Sequence, residues 1–227
     1  MSEKIAFLIR QASEEKKYDD VLNIAADNIE DLAENELNIA IRSAYELANF
    51  DIALDFSNHA HSKYPSNRTF HLFIARCHNK LGNKNQSISA YEDLMSLDSS
   101  MKEPFLMIAR SKYADSDYRG AIDVLSGWSD ISDEDTSILT LKARCFQNLE
   151  HHEEAYSAWH KLTNIEPMNV EAWSRLGQID YNHRRFEDAK KKLEKALSLN
   201  PEYRIARRLI GLCYDALGET KVASDWL

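Results

Sequence analysis

Apolar residues recur along the chain three or four positions apart, which is the spacing of one face of an α-helix. Ile52, Ala53, Leu54 and Phe56 are one such group. The helical stretches are separated by short turn-like segments, for example residues 81–83 and 217–219. The 227 residues include only six glycines and four prolines, whereas a β-rich chain with many turns uses more. The pattern therefore predicts an all-α protein built from short helices and tight turns.

The helical pattern repeats every 34 residues without insertion. The segment Val170–Tyr203 aligns in phase with residues 136–169, 102–135, 68–101 and 34–67. A shorter copy covers about residues 2–33, and an incomplete one covers residues 204–227. A fixed period of this length is typical of proteins in which stacked helical units share one continuous core.

Two positions of the repeat carry small residues. The twentieth position holds Ala53, Ser87, Ala121, Ala155, Ala189 and Ala223, and the eighth holds Ala75, Ala109, Ala143, Gly177 and Gly211. Small side chains allow two helices to approach closely. The two positions face each other if every repeat is an antiparallel helix pair. Proline at the thirty-second position, in Pro65, Pro167 and Pro201, marks the end of the second helix.

The best-preserved copy resembles the tetratricopeptide repeat (TPR) family. Its matching residues are Trp173, Leu176, Gly177, Tyr181, Phe186, Ala189, Ala196 and Pro201. Tyr181 lies one place beyond the usual aromatic position, which Asp180 occupies. The resemblance implies a single right-handed superhelical solenoid of tandem antiparallel helix pairs over residues 1–227. The first helices would then line a concave face. The last copy stops inside its second helix, so we expect the chain to be a piece of a longer protein.

Composition and charge narrow the functional classes. The net charge of −9 argues against a general nucleic-acid binder. The sequence contains no apolar run long enough to span a membrane and no evident signal peptide. Cys77, Cys145 and Cys213 are odd in number and lack a CxxC pair, which indicates reduced, structural thiols and a cytoplasmic location. We expect no cofactor, no metal site and no catalytic motif.

The ninth position of the repeat is the strongest candidate for chemistry. It holds Arg10, Arg42, Arg76, Arg110 and Arg144, followed by Gln178 and Leu212. The twelfth position adds Tyr45, Tyr113 and Tyr181. Positions 2, 5, 9 and 12 share one side of the first helix, here called the first-helix face. Guanidinium groups bind carboxylate, sulfate or phosphate in a planar fork. The predicted ligand-binding residues are Arg42, Arg76, Arg110, Arg144, Tyr45, Tyr113 and Tyr181.

A structural role for the arginines stays open at this point. Arg10 and Arg42 each have an acid four residues on, Glu14 and Glu46. For the later arginines, ion pairs between repeats are the alternative, with Glu103 and Asp115 as candidate partners. The tyrosines could equally serve packing between repeats.

The sequence predicts a non-catalytic scaffold for protein interaction that binds an extended, acidic partner segment in its concave groove. An alternative is the non-catalytic TPR region of a larger enzyme, such as a glycosyltransferase or sulfotransferase, holding an anionic polymer or a protein acceptor. Residues 12–37 are acidic and residues 184–208 are basic. Self-association through the incomplete C-terminal edge is therefore a further possibility.

Overall fold

The structure, a computed structural model, describes residues 2–128 and 135–226. Within these ranges the regular elements are fourteen α-helices and one 3₁₀ helix, Ile29–Asp31, with no strand. The helices are α1 (Ser2–Glu14), α2 (Tyr18–Asn28), α3 (Glu34–Glu46), α4 (Phe50–Lys63), α5 (Arg68–Lys80), α6 (Lys84–Leu97), α7 (Lys102–Ala114), α8 (Tyr118–Ser126), α9 (Thr136–Asn148), α10 (His152–Ile165), α11 (Val170–Asn182), α12 (Phe186–Leu199), α13 (Arg204–Ala216) and α14 (Thr220–Trp226). The predicted all-α fold of tandem helix pairs is confirmed.

Each helix pair is joined by the same tight turn. One residue of the turn has a positive φ, between 56° and 83°: Lys16, Ala48, Gly82, Ser116, Glu150, Arg184 and Gly218. The N–H of the following residue donates to a carbonyl five residues earlier, as from Asn49 to Ala44 at 2.9 Å and from Arg185 to Asp180 at 2.9 Å. This bond satisfies a carbonyl that the helix end leaves free. Left-handed backbone is unfavourable for residues other than glycine, so five of these turns carry local strain.

The small residues at positions 8 and 20 lie where paired helices touch. The Ser87 hydroxyl on α6 donates to the Ala75 carbonyl on α5 at 3.0 Å. A Cβ added to Gly177 on α11 would lie 2.7 Å from Leu193 Cγ and 3.2 Å from the Ala189 carbonyl oxygen on α12. A larger side chain at Gly177 would push α11 and α12 apart.

The chain divides into two compact units, residues 1–108 (unit 1) and 109–227 (unit 2). In unit 1, Leu37, Ile41 and Phe70 are fully buried. Ile41 replaces the small residue of position 8, and α3 and α4 still pair around it. In unit 2, Trp159, Leu162 and Leu176 are fully buried in one cluster. Each repeat thus buries apolar surface against its neighbours within its own unit.

The described helices reach 14 residues at most, and none is long and apolar enough to cross a membrane. Cys77, Cys145 and Cys213 are free and buried. Burial raises the pKa of the Cys77 thiol to about 12 and that of the Cys145 and Cys213 thiols to about 11.

Candidate ligand-binding face of the first helices

The position-9 arginines have two different environments. On α5, Arg76 donates from Nε to Glu103 Oε1 at 2.7 Å and from Nη2 to Glu103 Oε2. On α9, Arg144 donates from Nε to Glu171 Oε1 at 3.1 Å and from Nη2 to Glu171 Oε2 at 2.6 Å. Each pair is a planar, two-bond fork that joins one first helix to the first helix of the next repeat. The predicted alternative of ion pairs between repeats therefore applies to Arg76 and Arg144.

These two forks stabilise the stacking of repeats within a unit. The side chains of Arg76 and Glu103 are each 34% exposed, and those of Arg144 and Glu171 are 41% and 26% exposed. The hydrogen bonds to glutamate raise the pKa of both arginines. At this exposure each pair contributes about 1 kcal/mol or less.

Arg10 is also paired with a residue of the next repeat. It donates to Glu36 Oε1 from Nε at 3.0 Å and from Nη2 at 2.5 Å. The Glu36 side chain is only 3% exposed, whereas that of Arg10 is 57% exposed. A buried carboxylate needs such a partner, so Arg10 serves to neutralise Glu36.

Arg42 and Arg110 lack an acidic partner among the residues that the structure describes. Both side chains are exposed. Arg42 donates from Nε to Asn38 Oδ1 at 3.0 Å. Arg110 makes no hydrogen bond or ion pair with residues 2–128 or 135–226. The residue at position 2 of the following repeat explains the difference. Opposite the paired Arg76 and Arg144 this residue is a glutamate, Glu103 or Glu171. Opposite Arg42 it is Thr69, and opposite Arg110 it is Ser137.

Arg110 lies in an open pocket between α7 and α9. The pocket has a volume of about 530 Å³ and is lined by Arg110, Tyr113, Thr136, Ser137, Thr140, Leu141 and Arg144. This volume is within the range of small-ligand sites, which is about 300–1,000 Å³. The lining combines one guanidinium that has no partner among residues 2–128 and 135–226, a phenol and three hydroxyls. Since Glu171 neutralises Arg144, Arg110 gives this lining a net positive charge of one.

The three predicted tyrosines differ in role. The Tyr45 ring packs edge-on against Phe50 and Phe73, with centroids 5.2 and 5.6 Å away. Tyr181 packs against the unit 2 core, 5.6 Å from the ring of Phe186. Both are half-buried packing residues.

Tyr113 is the tyrosine that lines the pocket. Its hydroxyl accepts a hydrogen bond from Asn148 Nδ2 at 3.3 Å. Its ring lies 5.3 Å from that of Tyr118. The phenol is thus held in place at the wall of the pocket beside Arg110.

Histidines form no metal site in the described ranges. No group of three or more histidine, cysteine, aspartate or glutamate side chains there is placed to hold a metal ion. His61 and His71 pack edge-on, with ring centroids 3.9 Å apart. Burial, and then the neighbouring His61, lower the pKa of His71. A pair of rings in this arrangement is a packing contact.

The sequence analysis singled out the arginines but not the hydroxyl residues opposite them. Ser137, Thr136 and Thr140 line the pocket, and no motif marks them. The sequence does contain a signal for these residues when position 2 of each repeat is compared with position 9 of the repeat before it. Position 2 alternates between a hydroxyl residue and a glutamate, in the order Thr69, Glu103, Ser137 and Glu171. This alternation separates paired arginines from unpaired ones.

Comparison with known proteins agrees with the fold of paired helices. Residues 69–101 and 170–203 each match the tetratricopeptide repeat family. No curated protein sequence matches the chain. Among solved structures, the C-terminal part of a TPR repeat-containing protein from Cytophaga hutchinsonii is similar, with a TM-score of 0.78 and 15% identity, covering 99% of this chain and 92% of that chain.

Two further structures are similar in fold. MamA has a TM-score of 0.64 and 18% identity, covering 70% of this chain and 87% of its own. YrrB, described as a TPR protein with an unusual peptide-binding site, has a TM-score of 0.63 and 18% identity, covering 87% and 95%. The matched repeats, the regular helix pairs and these likenesses agree, and the chain belongs to the tetratricopeptide repeat family.

Proposed function

We propose that this protein is a non-catalytic interaction scaffold whose α7–α9 pocket binds an acidic side chain of an extended partner segment. The observation that carries the proposal is the exposed guanidinium of Arg110, which lies in a 530 Å³ pocket without an acidic partner among the described residues. Its counterparts Arg76 and Arg144 are occupied by glutamates of their own chain. A glutamate or aspartate of a partner would complete the same fork at Arg110.

The chemistry of the lining favours a peptide carboxylate. One net positive charge matches one carboxylate, and Ser137 and Thr136 offer hydroxyls to the backbone of an extended segment. The Thr140 hydroxyl donates to the Thr136 carbonyl at 2.7 Å and can accept a further hydrogen bond. Tyr113 adds a surface against which an aliphatic stem or a ring can pack. The lining contains no imidazole and no carboxylate, which are the groups that most often act as general acid or base. YrrB, with the same fold, is described as binding peptide, which supports this class of ligand.

The test measures the binding of a labelled, capped peptide of alternating glutamate and serine by fluorescence anisotropy at low salt. Arg110→Ala should weaken binding about tenfold, the value expected for loss of one charge-assisted fork. Arg119→Ala removes an exposed arginine of α8 and is the matched charge control, which should bind as the wild type does. Binding should also fall steeply with added salt.

The proposal fails if Arg110→Ala binds as many acidic peptides, and as tightly, as the Arg119→Ala control. A sulfated oligosaccharide is the second probe. If it binds at Arg110 and the peptide does not, the site serves an anionic polymer, and the peptide proposal is wrong.

A further inference from the structure

Arg42, which lies 68 residues before Arg110, has similar neighbours in the sequence of unit 1. Arg42 and Arg110 occupy position 9, and each is followed by serine and, three residues on, by a tyrosine. In the next repeat, Thr69 and Ser137 supply a hydroxyl, and Arg76 and Arg144 each form a fork with a glutamate. The two sites therefore share the exposed arginine, the tyrosine, one hydroxyl opposite the arginine and the neighbouring fork, whereas Arg68 and Leu72 stand where the Arg110 pocket has Thr136 and Thr140. The repeating chemical unit is two repeats, not one.

Each unit also places its tyrosine near the paired arginine. Tyr45 lies close enough to Arg76 to interact with its charge, as Tyr113 does with Arg144. In both cases the tyrosine belongs to the helix of the unpaired arginine, and the paired arginine belongs to the following first helix. Because Glu103 neutralises Arg76, Arg42 is the arginine of the first-helix face of α3 and α5 whose positive charge no acid of residues 2–128 and 135–226 balances.

We propose that Arg42 marks a second carboxylate-binding site, so that each unit takes one acidic side chain of a partner peptide. This inference rests on the proposed function of the Arg110 pocket and extends it from one site to two. The residue at position 2 of the following repeat determines the function of each arginine. A glutamate there makes the arginine a brace between repeats, and a hydroxyl leaves it open for a partner.

The Asn38 contact does not occupy the Arg42 site. Asn38 accepts one hydrogen bond, from Nε, and lies four residues earlier on the same helix. A neutral amide leaves the charge of Arg42 uncompensated, and the remaining guanidinium N–H groups are available to a carboxylate. In the paired arginines the same Nε donates to glutamate, so a ligand carboxylate would displace a weaker, neutral acceptor.

The experiment follows the two arginines separately by nuclear magnetic resonance. The probe is a capped pentapeptide with one central glutamate flanked by serines, titrated into ¹⁵N-labelled protein while the arginine Nε–Hε signals are recorded. A peptide with glutamine in place of glutamate is the control. Both Arg42 and Arg110 signals should move with the glutamate peptide and remain still with the glutamine peptide. One short peptide has one carboxylate, so the two sites should saturate independently.

Two variants block one site each without removing an arginine, by placing a glutamate opposite it. Thr69→Glu restores the missing glutamate opposite Arg42, and Ser137→Glu does so opposite Arg110. A glutamate in the first turn of a helix is favourable, so both variants should fold. Thr69→Glu should weaken binding at Arg42 about tenfold and leave Arg110 unchanged, and Ser137→Glu should do the reverse.

The outcomes separate the two proposals. Movement of Arg110 alone overturns the second site and leaves the proposed function standing. Movement of neither signal overturns both. If Thr69→Glu weakens binding at both arginines equally, they form one joint site, and the inference of independent sites is wrong.

Discussion

Asp180 is a buried carboxylate whose removal should destabilise unit 2 strongly. Its side chain is 2% exposed and accepts hydrogen bonds from Arg185 Nε at 2.8 Å and Lys192 Nζ at 2.5 Å, and Arg185 Nη2 lies 2.6 Å from the same carboxylate in an ion pair. Both cations lie over the ring of Tyr156, at 5.7 and 5.8 Å. Burial of the Lys192 ammonium acts to lower its pKa, but the hydrogen bond to Asp180 and the Asp180 charge raise it overall.

The size of the stability loss depends on which charges stay buried after Asp180 is replaced. Breaking a buried ion pair from one side costs about 3–5 kcal/mol, because a charge is left buried without its partner. In Asp180→Leu, Arg185 can turn into water because it is 49% exposed, whereas Lys192 is 19% exposed and stays largely buried. We therefore expect the lower end of the range, a loss of about 3 kcal/mol.

The double variant Asp180→Leu with Lys192→Met tests the cause of the loss. It removes the buried charge together with its cation, and apolar replacement of a whole pair is often close to neutral. Its free energy of unfolding in urea should lie within about 1 kcal/mol of the wild type. If the double variant is as unstable as Asp180→Leu, the loss comes from packing and the electrostatic reasoning is refuted.

Three further predictions concern turns, thiols and pH. Ser116→Gly relieves a left-handed backbone and should stabilise unit 2 by about 0.5 kcal/mol in urea unfolding, after the greater flexibility of the unfolded chain is subtracted. Lys112→Gly, inside α7, should instead destabilise it, and the reverse order would contradict the turn argument. The buried cysteines, including Cys77, should react with an aromatic disulfide reagent only after unfolding, and rapid reaction of the native protein would be inconsistent with their burial. Because the pKa of His71 is lowered in the folded state, the unfolded state binds more protons below pH 6.5, so stability should fall as pH drops through that value. His71→Gln should reduce the dependence of the free energy of unfolding on pH, measured by urea unfolding at several pH values. An unchanged pH dependence would mean that other groups cause it.

Much of the fold could be predicted because helix spacing and the 34-residue period are both local features of the sequence. The small residues at positions 8 and 20 indicate which helices touch, and Ser87 and Gly177 make the expected close contacts. The positive φ of Ala48, Ser116 and Glu150 could not be read from residue type. In those turns the packing of two helices fixes a backbone conformation that the residue itself disfavours.

The site could be predicted less completely, because ion pairing joins residues 26 or 27 positions apart. Arg10 reaches Glu36 and Arg42 bonds Asn38, although the sequence offered Glu14 and Glu46 at helical spacing. Side-chain reach and helix stacking decide between these partners. The ring of Tyr45 likewise could have faced a ligand or the core, and contact with Phe73 gives it a packing role.

The most direct test of the account is the affinity of an acidic peptide for the Arg110 site of Ser137→Glu, read from the Arg110 Nε–Hε signal, with Ser137→Gln as the control of similar size. The account predicts that Ser137→Glu pairs with Arg110, loses about 90% of the affinity and keeps the wild-type unfolding midpoint, whereas Ser137→Gln retains binding. Equal binding by Ser137→Glu, Ser137→Gln and the wild type would contradict the account, because Arg110 would then have no part in holding the ligand.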